Sequence, residues 1–252
     1  MDESIEANKP FFLFLSHSMP HVPLFTSSRF TGKSKKGIYG DVIEEIDWSV
    51  SQILAAIERL CINDNTYVVF TSDNGPWLAY GAHAGSAKPL KDGKGTTFEG
   101  GMRVMTFFSG PGIMPGLNND LGMQTDLLST FITLAGFTES YPSPDSFDLS
   151  DSLKQRKPSP RNFVPFYKGS ELRAFRLRDH KIQYVTQGAY GAPPERQVHE
   201  SPLLIDLIND IGESTNISTK NAALATKIDN IARDFEASIE VKPSILDSQH
   251  RY

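Results

Sequence analysis

Tyr67-Val68-Val69-Phe70-Thr71-Ser72-Asp73-Asn74-Gly75-Pro76 joins an apolar run to an abrupt polar turn. The β-branched and aromatic residues at its start predict a buried strand. Asn74-Gly75 then predicts a sharp bend. A carboxylate and an amide therefore stand side by side where a strand ends, the place at which open α/β sheets bind ligands. Asp73 and Asn74 offer hard oxygen atoms of the kind that suit Ca²⁺ or Mg²⁺. An Asx-turn with no metal accounts for the same six residues, and the segment by itself leaves both readings open.

Working outward, residues 39–61 predict one long helix. Ile43, Ile46, Val50, Ile53, Leu54, Ile57 and Leu60 recur at spacings of three and four, while Asp41, Glu44, Glu45, Asp47 and Glu58 read as its wet face. Before it, Phe11-Phe12-Leu13-Phe14-Leu15 reads as a central strand buried on both faces. Strand, helix, strand is the βαβ signature of a parallel sheet. The first strand ends in Ser16-His17-Ser18-Met19-Pro20-His21-Val22-Pro23. Its two prolines are expected to hold His21 in an extended loop, where an imidazole exchanges protons near neutral pH. For His17 a plain loop role is the better reading.

Residues 77–101 are long, irregular and rich in glycine, and carry His83, Lys88, Lys91, Lys94 and Glu99, with Arg103 just beyond. Long glycine-rich loops inside a domain are usually functional. Gly93-Lys94-Gly95-Thr96-Thr97 lacks the spacing of a P-loop, which excludes that motif. What remains is a lysine between two glycines, able to bring both backbone and ammonium close to an anion.

Beyond this point the pattern predicts a strand at 104–108, a helix at 126–135 and a Ser-, Pro- and Asp-rich linker at 139–160. Short antiparallel strands follow at 163–167, 172–177, 181–186 and 202–207, with Arg178-Asp179-His180 as a hairpin turn. A helix at 221–239 carries Leu224, Ile228, Ile231, Ala232 and Phe235 on one stripe. With 252 residues, 39% hydrophobic and 22% charged, the composition is that of a globular protein. A net charge of −5 argues against a nucleic-acid partner, and no apolar run is long enough to span a bilayer. The single cysteine, Cys61, excludes an internal disulfide framework and reads as a packing residue at a helix end.

Three segments taken together carry a family likeness: Pro20-His21-Val22-Pro23, Thr71-Ser72-Asp73-Asn74-Gly75, and Gly93-Lys94-Gly95-Thr96-Thr97-Phe98-Glu99-Gly100-Gly101. In this order and spacing they resemble the type I sulfatases, in particular the arylsulfatase A and N-acetylgalactosamine-6-sulfatase group. Arg29-Phe30, Tyr39-Gly40-Asp41 and Glu45-Ile46-Asp47 fit the same pattern. Leu203-Leu204-Ile205-Asp206-Leu207, followed by Asp210 and Gly212-Glu213, resembles the family's C-terminal subdomain.

The resemblance implies an alkaline-phosphatase-like α/β fold, with a mixed or parallel sheet flanked by helices and incomplete at its N-terminal side. It places the C-terminal half of the α/β domain at 1–140, a linker at 141–160 and a small α+β subdomain at 161–252. It further implies that Asp73 and Asn74 supply half of a Ca²⁺ site. Lys94 would bind a sulfate oxygen and the leaving-group oxygen, His21 would assist leaving-group departure, and His83 and Lys94 would touch the substrate. Arg103 is expected to pack or to pair with Glu99.

Sulfate-ester chemistry needs such groups, because oxygens must be polarised and a departing alkoxide needs a proton. The implied partner is a sulfate ester, with a sulfated sugar as one candidate. The family's formylglycine arises within Cys-x-Pro-x-Arg or Ser-x-Pro-x-Arg, and this chain contains neither motif. The expectation is therefore a C-terminal part of a sulfatase that binds Ca²⁺ weakly or not at all by itself. Two other readings stay open: a phosphate or phosphonate ester hydrolase of the alkaline-phosphatase superfamily, and a non-catalytic form binding sulfated ligands through Lys94, His21 and Lys33, Lys35 and Lys36. Family members are lysosomal, periplasmic or secreted. Met1-Asp2-Glu3-Ser4 does not begin a signal peptide, and the compartment is left open. The purified chain is expected to give no turnover of a chromogenic aryl sulfate; metal-dependent hydrolysis by it would contradict this reading.

Overall fold

The computed structural model describes residues 1–137 and 145–240. The long amphipathic pattern forms α2 (Gly37–Arg59), preceded by a short α1 (Asp2–Glu6). Asp41 is not on the wet face. It is buried, and its carboxylate accepts the backbone N–H groups of Gly32 (2.8 Å) and Ser34 (2.6 Å), which folds the preceding loop onto the helix. Those bonds, Ser34's foremost, hold its pKa below the usual carboxylate range. Val42 and Ile57 are buried, whereas Ile43 and Leu54 on the predicted stripe remain exposed.

β1 (Val68–Thr71) forms as expected, but it pairs antiparallel with β2 (Thr106–Ser109), in register from Val68↔Ser109 to Thr71↔Thr106. Residues 11–15 form no strand. Phe12 and Phe14 are 77% and 80% exposed. Apolar content suits a segment to a sheet interior, but a strand exists only where a neighbour completes its hydrogen-bond ladder. No described segment does so here, and the parallel βαβ pairing is absent among the described residues.

α3 (Glu99–Met102) precedes β2, and α4 (Asp126–Leu134) follows it. The predicted linker contains α5 (Ser150–Gln155), and its segment from 145 onward is packed rather than loose. Asp126 is responsible. Its fully buried carboxylate accepts Met123 N–H, Phe147 N–H and two guanidinium N–H groups of Arg161, both at 2.6 Å. A bidentate pair of this kind fixes geometry as well as contributing energy. Cys61 is exposed, not packed, because the chain leaves α2 there at φ 55°.

The C-terminal region matches its pattern closely. β3 (Phe163–Lys168), β4 (Glu171–Leu177), β5 (His180–Thr186) and β6 (Gln197–Asp206) form one antiparallel sheet in sequence order. The β4–β5 turn is Arg178-Asp179 alone, since His180 already pairs with Leu177. α6 (Ala222–Ala237) lays its apolar stripe on this sheet. Phe175, Ile182, Leu204, Ile228 and Ala232, all at 0% exposure, form the core. No helix among the described residues is long and apolar enough to cross a membrane.

Candidate active site

The polar turn after β1 is clamped, not mobile. Gly75 N–H donates to Gly101 O (3.0 Å), Lys94 N–H to Pro76 O (2.8 Å) and Gly100 N–H to Lys91 O (2.8 Å). Three strands of backbone therefore touch directly. A Cβ on Gly75 would lie 1.8 Å from Gly100 O, one on Gly93 2.3 Å from Pro76 O, and one on Gly100 2.2 Å from Asp92 O. These glycines are required by close approach, since any side chain would force the backbones apart. The result is that Asp73, Asn74 and Lys94 are carried by a single interlocked unit.

Trp77 is where the catalytic candidates meet. The Lys94 ammonium lies 5.1 Å from its ring centroid, and the His21 ring packs edge-on at 5.6 Å. A cation over an indole is held by the ring's negative face. His21 sits in a bent loop, not the extended one predicted, and both flanking X-Pro bonds are cis. Its Nδ1 lies 2.7 Å from Val22 O. A carbonyl can only accept, so Nδ1 carries the hydrogen and Nε2 is the atom left to take or give a proton.

Asp73 is exposed and Asn74 half-buried. Neither side chain is used in a hydrogen bond among the described residues; Ser72 Oγ donates to the backbone of Asn74 instead (3.1 Å). Their oxygens are thus available to a hard cation, and the donor set fits one side of a Ca²⁺ shell. It falls short of the six to eight ligands that ion takes, and no group of three or more metal-binding side chains exists among the described residues. His83 ends the 3₁₀ turn Leu78–His83; it is exposed, and its side chain makes no hydrogen bond among the described residues. His17 is exposed as well.

The chain matches the sulfatase family over residues 1–137 and the C-terminal region of aryl-sulfatase over residues 159–252. It belongs to the sulfatase family. Arylsulfatase A of Homo sapiens is 36% identical over 233 residues, covering 86% of this chain and 46% of that protein. N-acetylgalactosamine-6-sulfatase of Homo sapiens is 38% identical over 181 residues, 70% of this chain and 34% of that one. The crystal structure of the PsFucS1 sulfatase from Pseudoalteromonas sp. superposes with a TM-score of 0.85 at 24% identity, over 94% of this chain and 50% of that chain. The fold is accordingly the alkaline-phosphatase-like α/β fold of sulfatases. The chain spans less than half the length of the two curated relatives.

What sequence reasoning missed in this sulfatase chain is the support beneath Lys94. Glu99 does not pair with Arg103, which is exposed. Its carboxylate takes Arg176 Nη1 at 2.8 Å and Lys181 Nζ at 3.1 Å. Lys181, with no exposed side-chain surface, also reaches Glu213 Oε1 (3.0 Å) and Thr97 O (2.7 Å). Glu213 accepts Glu99 N–H (2.6 Å) and Gln183 Nε2 (2.8 Å), and its carbonyl accepts Lys91 Nζ (2.9 Å). Two carboxylates and two cations balance one another in the interior, with their remaining hydrogen-bonding capacity largely filled. Glu99 and Lys181 are 82 residues apart, a pairing that no local pattern announces. Gly75→Ala is expected to destabilise the fold by about 3 kcal/mol or more, at the upper end for overpacked sites, as read from chemical denaturation. Wild-type stability in that variant would show the interlock to be dispensable.

Proposed function

We propose that this chain carries the leaving-group side of a sulfatase active site, and that the activity it serves is hydrolysis of a sulfate monoester. The observation that carries the reading is the convergence of Lys94 and His21 on one indole, beside the turn that holds Asp73 and Asn74. The names of the curated relatives, arylsulfatase A and N-acetylgalactosamine-6-sulfatase, support the same substrate class.

Each residue has a defined task in that reaction. The Lys94 ammonium pairs with an ester oxygen of the sulfate group and neutralises charge that grows on the bridging oxygen as the S–O bond breaks. His21, protonated at Nε2, gives that proton to the departing alkoxide. The indole of Trp77 touches both groups, which would help to hold them in place before substrate arrives. Asp73 and Asn74 would supply oxygen ligands to Ca²⁺, which when bound withdraws charge from the sulfate oxygens. The formylglycine of the family has no precursor motif in this chain, so no step is assigned to it.

The chain has two tryptophans, Trp48 and Trp77, so their indole N–H resonances serve as paired probes in one NMR experiment. Titration with phenyl sulfate is expected to shift the Trp77 signal and leave that of Trp48 in place. Lys94→Ala should weaken the apparent affinity at least tenfold, about 1.4 kcal/mol. An unmoved Trp77 signal, or equal affinity in the variant, would overturn the proposal. Stronger binding of phenyl phosphate than of phenyl sulfate would favour the phosphate-ester reading instead.

A further inference from the structure

Besides the ion network, the C-terminal sheet reaches this site through the tip of the β5–β6 connection. There Gly188 N–H donates to Pro194 O (2.7 Å) and Ala192 N–H to Ala189 O (3.0 Å), closing a tight loop. Gly188 has no room for a side chain, since a Cβ would lie 2.2 Å from Ala192 O. The tip presents Tyr190 at φ 55°, a backbone region that bulky residues rarely occupy and that recurs at ligand sites. The Tyr190 ring lies on Trp77 with centroids 4.6 Å apart and planes 33° from parallel, and Tyr80 meets the same indole edge-on at 4.8 Å. Gly95, the residue after Lys94, is bare because a Cβ there would sit 2.9 Å from Ala189 and 3.1 Å from the Tyr190 ring.

Three aromatic rings from two parts of the chain thus gather at Trp77, the indole over which the Lys94 ammonium lies. Tyr190 and Tyr80 nevertheless remain 57% and 47% exposed. Rings meant for packing alone are normally covered; an exposed aromatic cluster around a cation marks a binding surface. The indole N–H of Trp77 is buried and has no acceptor among the described residues, a defect that native structures seldom keep without a use.

We propose that Trp77, Tyr80 and Tyr190 form the platform for the organic part of the ester, binding the flat face of a six-membered ring whose sulfate group is held at Lys94. This rests on the sulfate-monoester reading given above and adds a specificity-determining residue, Tyr190, supplied by the C-terminal sheet. The shared chemistry is a ring face, found in both aryl and pyranose sulfates. Tyrosine suits both, since its ring stacks and its hydroxyl can meet a sugar hydroxyl.

The test follows the Trp77 indole resonance of the full chain during titration with methyl sulfate, phenyl sulfate and glucose 6-sulfate, with Trp48 as the check on folding. Tyr190→Ala is expected to weaken at least one ring-bearing ester about tenfold and to leave methyl sulfate unchanged. Tyr190→Phe should restore phenyl sulfate binding. Loss confined to phenyl sulfate assigns the platform to aryl groups, and loss confined to glucose 6-sulfate assigns it to sugars. Unchanged affinity for both ring-bearing esters, or an equal loss for methyl sulfate, overturns the platform while leaving the Lys94 site standing. Failure of the unsubstituted chain to bind any of the three overturns both readings.

Discussion

Lys181 is a lysine with no exposed surface, and the site depends on it. An ammonium in the interior is tolerated only when its charge and its donors are matched. Here Glu99, Glu213 and the Thr97 carbonyl match them, and the Phe166 ring lies 4.1 Å away on the sheet side. Two of those partners, Thr97 and Glu99, belong to the glycine-rich segment that carries Lys94. Lys181 and Arg176 belong to neighbouring strands of the C-terminal sheet. The buried charges therefore dock the Lys94 segment onto a rigid sheet with its own apolar core. Apolar packing could join the two regions equally strongly, but it would not fix their register as a network of directional, charge-assisted hydrogen bonds does.

This arrangement explains why the candidate catalytic groups lie on loops without being loose. Lys94 is fixed from below by the ion network, from one side by the Gly75–Gly101 interlock, and from another by the Tyr190 tip. Preorganisation of this kind matters for ester hydrolysis, because charge developing in the transition state is stabilised most by groups that need not move. His21 is held differently, by the carbonyl of Val22 and by its T-shaped contact with Trp77. Trp77 thus touches both the candidate proton donor and the rings of the proposed platform.

Much of this was legible in the sequence, for reasons that can be named. α2, α4 and α6 announce themselves by spacings of three and four, and β3 to β6 by short apolar runs between turns. Asp73, Asn74 and Lys94 stood out as candidates because turn and glycine chemistry set them after β1 and in a constrained loop, and His21 because two prolines flank it. Residues 11–15 were misread because apolar content does not supply a hydrogen-bonding neighbour. Asp126 with Arg161, and Glu99 with Lys181, were invisible because long-range ion pairs leave no periodic trace. The linker reading failed with them over residues 145–160, where the backbone amides of Phe147 and Leu149 donate to Asp126 and Thr130 and so tie the segment to α4. Tyr190 was beyond reach for the same reason, since its approach to Trp77 depends on how the C-terminal sheet docks.

The central claim is that the buried charges hold the Lys94 segment in place, and amide hydrogen exchange on Arg176→Met tests it most directly. That substitution removes one of the two cations on Glu99 while leaving Lys181 to pair with it. The account predicts that the amides of Gly75, Lys94 and Gly100 exchange at least about tenfold faster, while amides of β5 around Ile182 keep their protection. Unchanged exchange at those three amides, or an equal loss in β5, would contradict it.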